Sequence, residues 1–237
     1  YDPRTGVPLA IVDATEITER RTGAVTAIGA RHLARRDAKV LGHIGARGTA
    51  FSNVTMLDSE FDFAEIRVTS RRPESREAFG AALGEALGKP VRVVESAEEA
   101  VRGADIVVEA TRLIEPSPLV RTEWIEPGAL IVPYGTVSAV ELSLTAAMDK
   151  IVVDDWQQCR QGRFGSLRPH VEQGLLSEAN LHAELGQIVA GDKAGRERDD
   201  ERILFWHRGL ATTDLAVGHL LYERAVERGV GTVLHYR

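Results

Sequence analysis

Short apolar runs alternate along the chain with segments whose apolar positions recur at helical spacing. Lys39–Ile44 reads as a strand and Thr49–Leu57 as a helix; Ile66–Ser70 is a second strand, followed by a helix from Pro73 to Leu87. Val91–Val94, Ala104–Ala110, Ala129–Tyr134 and Lys150–Asp154 continue as strands, with a short helix over Ala97–Arg102. Strands separated by single helices imply parallel pairing through right-handed crossovers, and strands that are apolar throughout imply a sheet covered on both faces. The expected fold class is therefore α/β, a doubly wound parallel sheet. Before it, residues 1–14 read as a turn and a strand over Pro8–Val12, and Thr15–Arg36 as a helix. After it the pattern loosens. Arg160–Pro169 reads as a loop, Leu181–Val189 as a short helix, Ala190–Asp200 as a charged turn, Ile203–Trp206 as a strand and Gly209–Arg228 as a closing helix.

The first strand runs into a glycine-punctuated turn, Gly45-Ala46-Arg47-Gly48-Thr49-Ala50. A strand, a tight turn and a helix N-terminus in that order form the place where such a sheet cradles the pyrophosphate of a dinucleotide, because the backbone must approach the phosphate and offer free N–H groups. The middle glycine of the usual spacing is Arg47 here, a second means of holding phosphate. Folds of this kind commonly place a carboxylate at the end of the second strand, on the adenosine ribose. This chain has Ser70, Arg71 and Arg72 there. Two guanidinium groups and a hydroxyl suit a ribose 2′-phosphate, so NADP(H) is the expected cofactor, with NAD(H) the alternative.

On the first helix Ile17, Arg21, Val25 and Ile28 share a face. An arginine among apolar neighbours needs an anion. Either a carboxylate of the chain itself or a substrate carboxylate would serve, and the sequence leaves both open. His207, at the junction of the last strand and the closing helix, is a candidate proton donor whose ordinary pKa lies near neutral pH; a surface or helix-capping histidine is the alternative. Asp214 is a candidate for orienting substrate or cofactor, or for stabilising the start of the closing helix. Glu109 and Arg112 are read as a mutual ion pair. Asp154 and Asp155 are read as structural or polar-rim residues, since no further ligands lie at metal-site spacing. Arg160 and Arg163 would lower the pKa of Cys159, but no partnering histidine makes it a nucleophile.

The 237 residues carry 29 basic and 35 acidic side chains, a formal net charge of −6, and one cysteine. A mildly acidic chain without basic runs is a poor match for nucleic acid or an anionic membrane, and one cysteine rules out an internal disulfide. No apolar stretch approaches a bilayer span. A soluble cytoplasmic protein is expected. Because the sequence opens on Tyr1 and not on Met, a fragment or trimmed product is expected too.

Several segments together resemble the ornithine cyclodeaminase/mu-crystallin family. They are Thr18-x-x-Arg21-Thr22-Gly23-Ala24, the Gly45–Ala50 turn, Ala104–Thr111, Trp124–Gly128, Glu184–Gly186 and Gly209–Asp214. The resemblance runs over essentially the whole chain, in order. It implies an NAD(P)-dependent enzyme, typically a dimer, that acts at the C–N bond of small amino or imino acids. It assigns Arg21 to the substrate carboxylate, the Gly45 turn to the pyrophosphate, and Ala110, Thr111 and Gly135 to the rest of the cofactor. It also implies a preceding segment, absent from this sequence, that builds much of a substrate and dimerisation domain. On that basis residues 36–205 form the dinucleotide-binding domain, and 1–35 with 206–237 form part of the second.

One departure from the family bears on the reaction. Cyclodeaminases carry an aspartate after the glycine that ends the fifth strand, where this chain has Gly135-Thr136-Val137-Ser138. Thr136 could orient a water or an imine but is a poor base at neutral pH. The expectation is thus an imine reductase or amino-acid dehydrogenase, ahead of a redox-neutral cyclodeaminase. A non-catalytic protein holding NADP or a small ligand is the third reading.

Overall fold

A computed structural model describes residues 1–135, 138–161 and 165–235. Eight parallel strands form one sheet: β1 (Val40–Ile44), β2 (Glu65–Thr69), β3 (Arg92–Val93), β4 (Ile106–Glu109), β5 (Leu130–Pro133), β6 (Lys150–Val153), β7 (Ala183–Glu184) and β8 (Ile203–Trp206). Their order across the sheet is β3-β2-β1-β4-β5-β8-β6-β7. The chain winds outward from β1 to β3, then crosses back to lay β4 on β1's other side. That reversal leaves a crevice beyond the carboxyl ends of β1 and β4, where ligands of open α/β sheets bind.

The helices are α1 (Thr15–Leu33), α2 (Ala50–Phe61), α3 (Pro73–Leu87), α4 (Ala97–Val101), α5 (Trp156–Gln161), α6 (Arg168–Glu172), α7 (Leu185–Val189) and α8 (Ala211–Glu227). Strand residues alternate between two cores. Leu41, Val68, Val108, Val132 and Phe205 join Leu33, Val54 and Leu83 on one face. Val107, Ile131, Val153 and Trp206 join Val101, Trp156 and Leu167 on the other. The apolar runs of β1, β4, β5, β6 and β8 are thereby explained: each of these strands serves both faces.

Helix α1 lies unusually close to its neighbours. A Cβ on Gly23 would stand 2.7 Å from the carbonyl oxygen of Ser52, and one on Gly29 would strike the ring of Phe205. Two glycines therefore let α1 sit directly against α2 and the end of β8, which brings Arg21 to the sheet's carboxyl edge.

Four local expectations are corrected. Pro8–Val12 forms no strand; no neighbouring strand offers it an edge among the described residues, and Ile11 is 92% exposed. Ile28 is exposed although it shares the stripe of Ile17, because α8 starts beside Arg21 and runs back past Ile17 without covering Ile28. The expected loop over Arg160–Pro169 is shorter at both ends: Arg160 and Gln161 close α5, and Arg168 and Pro169 open α6. Finally, the first residues of the expected helix over Leu181–Val189 include β7, a two-residue edge strand paired with β6.

Candidate functional site

The turn after β1 is built for close approach. Gly45 has φ 119° and Gly48 φ 59°, a region that side chains other than glycine's rarely enter. The N–H of Gly45 donates to the carbonyl of Thr69 (2.9 Å), and a Cβ on Gly45 would stand 3.0 Å from the carbonyl oxygen of Ala110. Beneath the turn, His43 is fully buried with Nδ1 2.9 Å from the carbonyl oxygen of Gly45, and burial pushes its imidazole down to about 4. Helix α2 begins at Ala50 with no side-chain cap and no acidic residue in its first turn. Its N-terminal N–H groups and partial positive charge are thus available to an anion.

Beside this turn is a cleft of about 630 Å³ lined by Ala46, Arg47, Arg72, Glu74, Ser75, Ala78 and Phe79. Arg47 and Arg72 reach it from the ends of β1 and β2; Ser70 and Arg71 follow β2 but do not line it. Ser70 is occupied locally, donating to the carbonyl of Arg72 (3.2 Å). Neither Arg47 nor Arg72 makes an ion pair among the described residues. The sequence reading missed Glu74, which puts one carboxylate into the cleft from the first turn of α3.

Arg21 projects from α1 to the start of α8. Its Nε donates to Oδ1 of Asp214 (3.0 Å) and its Nη1 to the carbonyl oxygen of Arg208 (3.3 Å). The carboxylate of the chain itself is therefore present. Nη2 carries no hydrogen bond among the described residues, and only 14% of the side chain is exposed. The Arg208–Gly209 turn is fixed from below by Asp154, whose Oδ2 accepts from the N–H groups of Arg208 (2.8 Å) and Gly209 (2.7 Å). Asp154 is thus structural, as expected. Gly209 has φ 88°, and a Cβ there would collide with Nη1 of Arg21.

His207 is neither on the surface nor a helix cap. It is fully buried, stacked between Tyr134 and Phe205 at centroid separations of 5.0 and 5.2 Å. Its Nε2 lies 2.8 Å from Oγ1 of Thr26, which also accepts from Nδ2 of Asn53 (2.7 Å). Burial, reinforced by the Arg21 guanidinium, pushes the imidazole down to about 3. It is neutral at pH 7, so the expected proton donor with a near-neutral pKa is corrected. Tyr134 continues this polar layer: its hydroxyl lies 2.9 Å from Oγ1 of Thr49 in the glycine turn. Thr26, Asn53 and Tyr134 escaped the sequence reading, since their only signal was polarity at positions expected to be buried.

Glu109 does not pair with Arg112. It is buried at the end of β4, and its Oε1 accepts from both the N–H (2.7 Å) and the hydroxyl of Thr111. Its Oε2 lies 3.3 Å from Oγ of Ser166. Gly135, after β5, lies against this carboxylate, and a Cβ on it would come within 2.6 Å of Oε2. Ala110 is held by its N–H on the carbonyl of Ile44 (2.9 Å). Glu109, Ala110, Thr111 and Gly135 therefore meet at the crevice side of β4 and β5; Thr136 lies outside the described residues. Cys159 sits on α5, where burial, then Asp154 and Asp155, push its thiol up to about 12. That is opposite to the expected lowering by neighbouring arginines.

Comparison with known proteins agrees with this geometry. A profile of the ornithine cyclodeaminase/mu-crystallin family matches residues 1–229. A delta(1)-pyrroline-2-carboxylate reductase of Bacillus cereus (strain ZK / E33L) is 36% identical over 239 residues, covering 99% of this chain and 72% of the relative. An alanine dehydrogenase of Archaeoglobus fulgidus is also 36% identical, over 99% of this chain and 71% of its own. The solved structure of Thermococcus litoralis delta(1)-pyrroline-2-carboxylate reductase in complex with NADH and L-proline superposes with a TM-score of 0.92 at 34% identity, covering 98% of this chain and 72% of that one. The chain belongs to the ornithine cyclodeaminase/mu-crystallin family.

Proposed function

We propose that this chain is an NAD(P)H-dependent oxidoreductase that reduces the C=N bond of a small α-imino acid, or runs the reverse reaction on the amino acid. The observation that carries the reading is one juxtaposition. A guanidinium fixed through Nε and Nη1, with Nη2 left over, stands at the same edge of the sheet as a glycine turn open to a dinucleotide. Relatives named as a pyrroline-2-carboxylate reductase and an alanine dehydrogenase support the class.

The residues present fit the cofactor. A Cβ would fill the approach at Gly45, the N-terminus of α2 is uncapped, and two guanidinium groups without ion pairs face the neighbouring cleft. Bound there, the cofactor would supply hydride to the imine carbon. Gly45, Ala46, Gly48 and Thr49 would hold the pyrophosphate; Ala110, Thr111 and Gly135 would border the nicotinamide half. Arg47 and Arg72 would take a ribose 2′-phosphate, so the finer preference is for NADP(H), with Glu74 opposing it by one charge. Arg71 would add to the local positive field.

Arg21 would bind the substrate carboxylate with its remaining N–H groups while Asp214 holds its plane. A fixed guanidinium binds a carboxylate with less ordering cost than a free one. We further propose that residues 1–35 and 206–237 belong to the substrate side of the protein and that it works as a homodimer. The test is loss of reduced-nucleotide absorbance with Δ1-pyrroline-2-carboxylate, and with keto acids plus ammonia. No turnover of any of them by a nucleotide-binding preparation overturns the proposal.

A further inference from the structure

Glu109 is the one fully buried carboxylate among the described residues that touches the end of β4, the end of β5 and the segment before α6 at once. The groups that face its oxygens are the N–H and hydroxyl of Thr111, the hydroxyl of Ser166, which stands 3.3 Å from Oε2 and equally 3.3 Å from the carbonyl oxygen of Gly135, and the backbone of Gly135 packed against the carboxylate. No cation pairs with it among the described residues. A carboxylate can accept from all three donors; a protonated acid must turn one oxygen into a donor and lose at least one of them. Such a group is costly to bury, so its retention in an otherwise apolar strand asks for a reason.

We propose that Glu109 is a positioning residue for the nicotinamide side of the cleft, its ionised carboxylate tying Thr111, Gly135 and Ser166 into the arrangement that binds the dinucleotide. The inference rests on the cofactor reading above. Glu109 acts through Thr111 and Gly135 and itself touches no ligand. Burial pushes its carboxyl up to about 7, so the tie changes state across neutral pH. Among the described residues, the titratable groups on neighbouring elements keep one state there, and burial lowers the imidazole of His170 on α6. His43 at β1 and His207 at β8 are held neutral, and burial keeps the phenol of Tyr134 protonated. Cys159 on α5 stays a thiol. Asp154 at β6 faces the Arg208–Gly209 turn, and Arg112, next along from Thr111, is exposed.

The test is nucleotide affinity of the full chain between pH 5.5 and 8.5, by calorimetry, for wild type and Glu109→Gln. NADH is titrated beside NADPH because a 2′-phosphate itself titrates near pH 6. Wild type is expected to bind about tenfold more weakly at pH 5.5 than at 8.5, a one-unit pKa difference between free and bound forms. Glu109→Gln should bind at every pH as weakly as wild type at pH 5.5. In the nucleotide-free protein, amide exchange at Thr111 and Gly135 should be faster at low pH in wild type and fast throughout in the variant, after correction for intrinsic rates. Should Glu109→Gln not fold, Ser166→Ala removes one donor and keeps the charge, and the wild-type midpoint should move to higher pH. Flat wild-type affinity equal to that of Glu109→Gln, or an unmoved midpoint in Ser166→Ala, overturns the proposal. Absence of nucleotide binding at any pH would instead remove the cofactor reading and leave amide exchange to decide on Glu109.

Discussion

Nε of Arg21 lies 3.0 Å from Oδ1 of Asp214, joining α1 to the first turn of α8 across nearly the whole length of the chain. The pair leaves Nη2 of Arg21 without a hydrogen bond among the described residues. It uses one edge of the guanidinium, and the carbonyl of Arg208 orients Nη1 beside it. Asp214→Asn should keep a hydrogen bond and lose the ion pair. Steady-state kinetics should show kcat/KM for the imino acid lower by about tenfold, near 1.4 kcal/mol, with nucleotide affinity unchanged. Arg21→Ala should lower it by a further 1–2 kcal/mol or so, since a charge-assisted contact is lost outright. Equal losses in nucleotide and substrate binding would mean that Arg21 only braces α8.

Gly209 is where the site's backbone demands glycine. Gly209→Ala combines φ 88° with a collision against Nη1 of Arg21. The variant should melt lower, for a loss of about 1–3 kcal/mol. Its KM for substrate should rise more than its Kd for nucleotide. A variant with wild-type KM would show that the guanidinium does not need its present place.

Arg72→Ala and Arg47→Ala should each cut the ratio of NADPH to NADH affinity, by about tenfold if the guanidinium contacts the 2′-phosphate directly. Glu74→Gln should raise that ratio, because it removes the only carboxylate that lines the cleft among the described residues. Fluorescence titrations with the two reduced nucleotides read both effects, and a ratio indifferent to all three changes would place the adenosine elsewhere.

His207 links stability to acid. Its imidazole falls from an ordinary 6.5 to about 3 in the fold. Between those values the unfolded chain takes up a proton that the folded one refuses, so this stabilising contribution is complete above pH 6.5 and is lost as pH falls toward 3. The loss approaches about 1.4 kcal/mol per pH unit. His207→Gln removes the titration. Urea unfolding at pH 7, 6 and 5 should show a shallower decline than in wild type, whatever its stability at pH 7; the slope from His43 remains in both.

Local pattern revealed most of the architecture: β1, β2, β4, β5, β6 and β8, and the bounds of α3, lie at or within two residues of where periodicity and glycine or proline signals put them. Pro8–Val12 misled because an apolar run alone does not make a strand: among the described residues it pairs with none, and Ile11 stays exposed. Gly45 and Arg21 were visible as residue types out of place, whereas Glu74 and the Thr26–Asn53–His207 contacts depend on which helices meet. The protonation of His207, Glu109 and Cys159 follows from burial, which one-dimensional spacing does not encode.

The insertion of β8 between β5 and β6 carries a consequence for how the protein is made. β5 and β6 have no direct ladder; each bonds only to β8 on that side. Until Ile203–Trp206 has left the ribosome, the nascent chain therefore holds two separate sheet fragments with bare facing edges. A stop codon or protease cut just ahead of Ile203 should yield sticky, insoluble material, although all of the glycine turn would already have been translated.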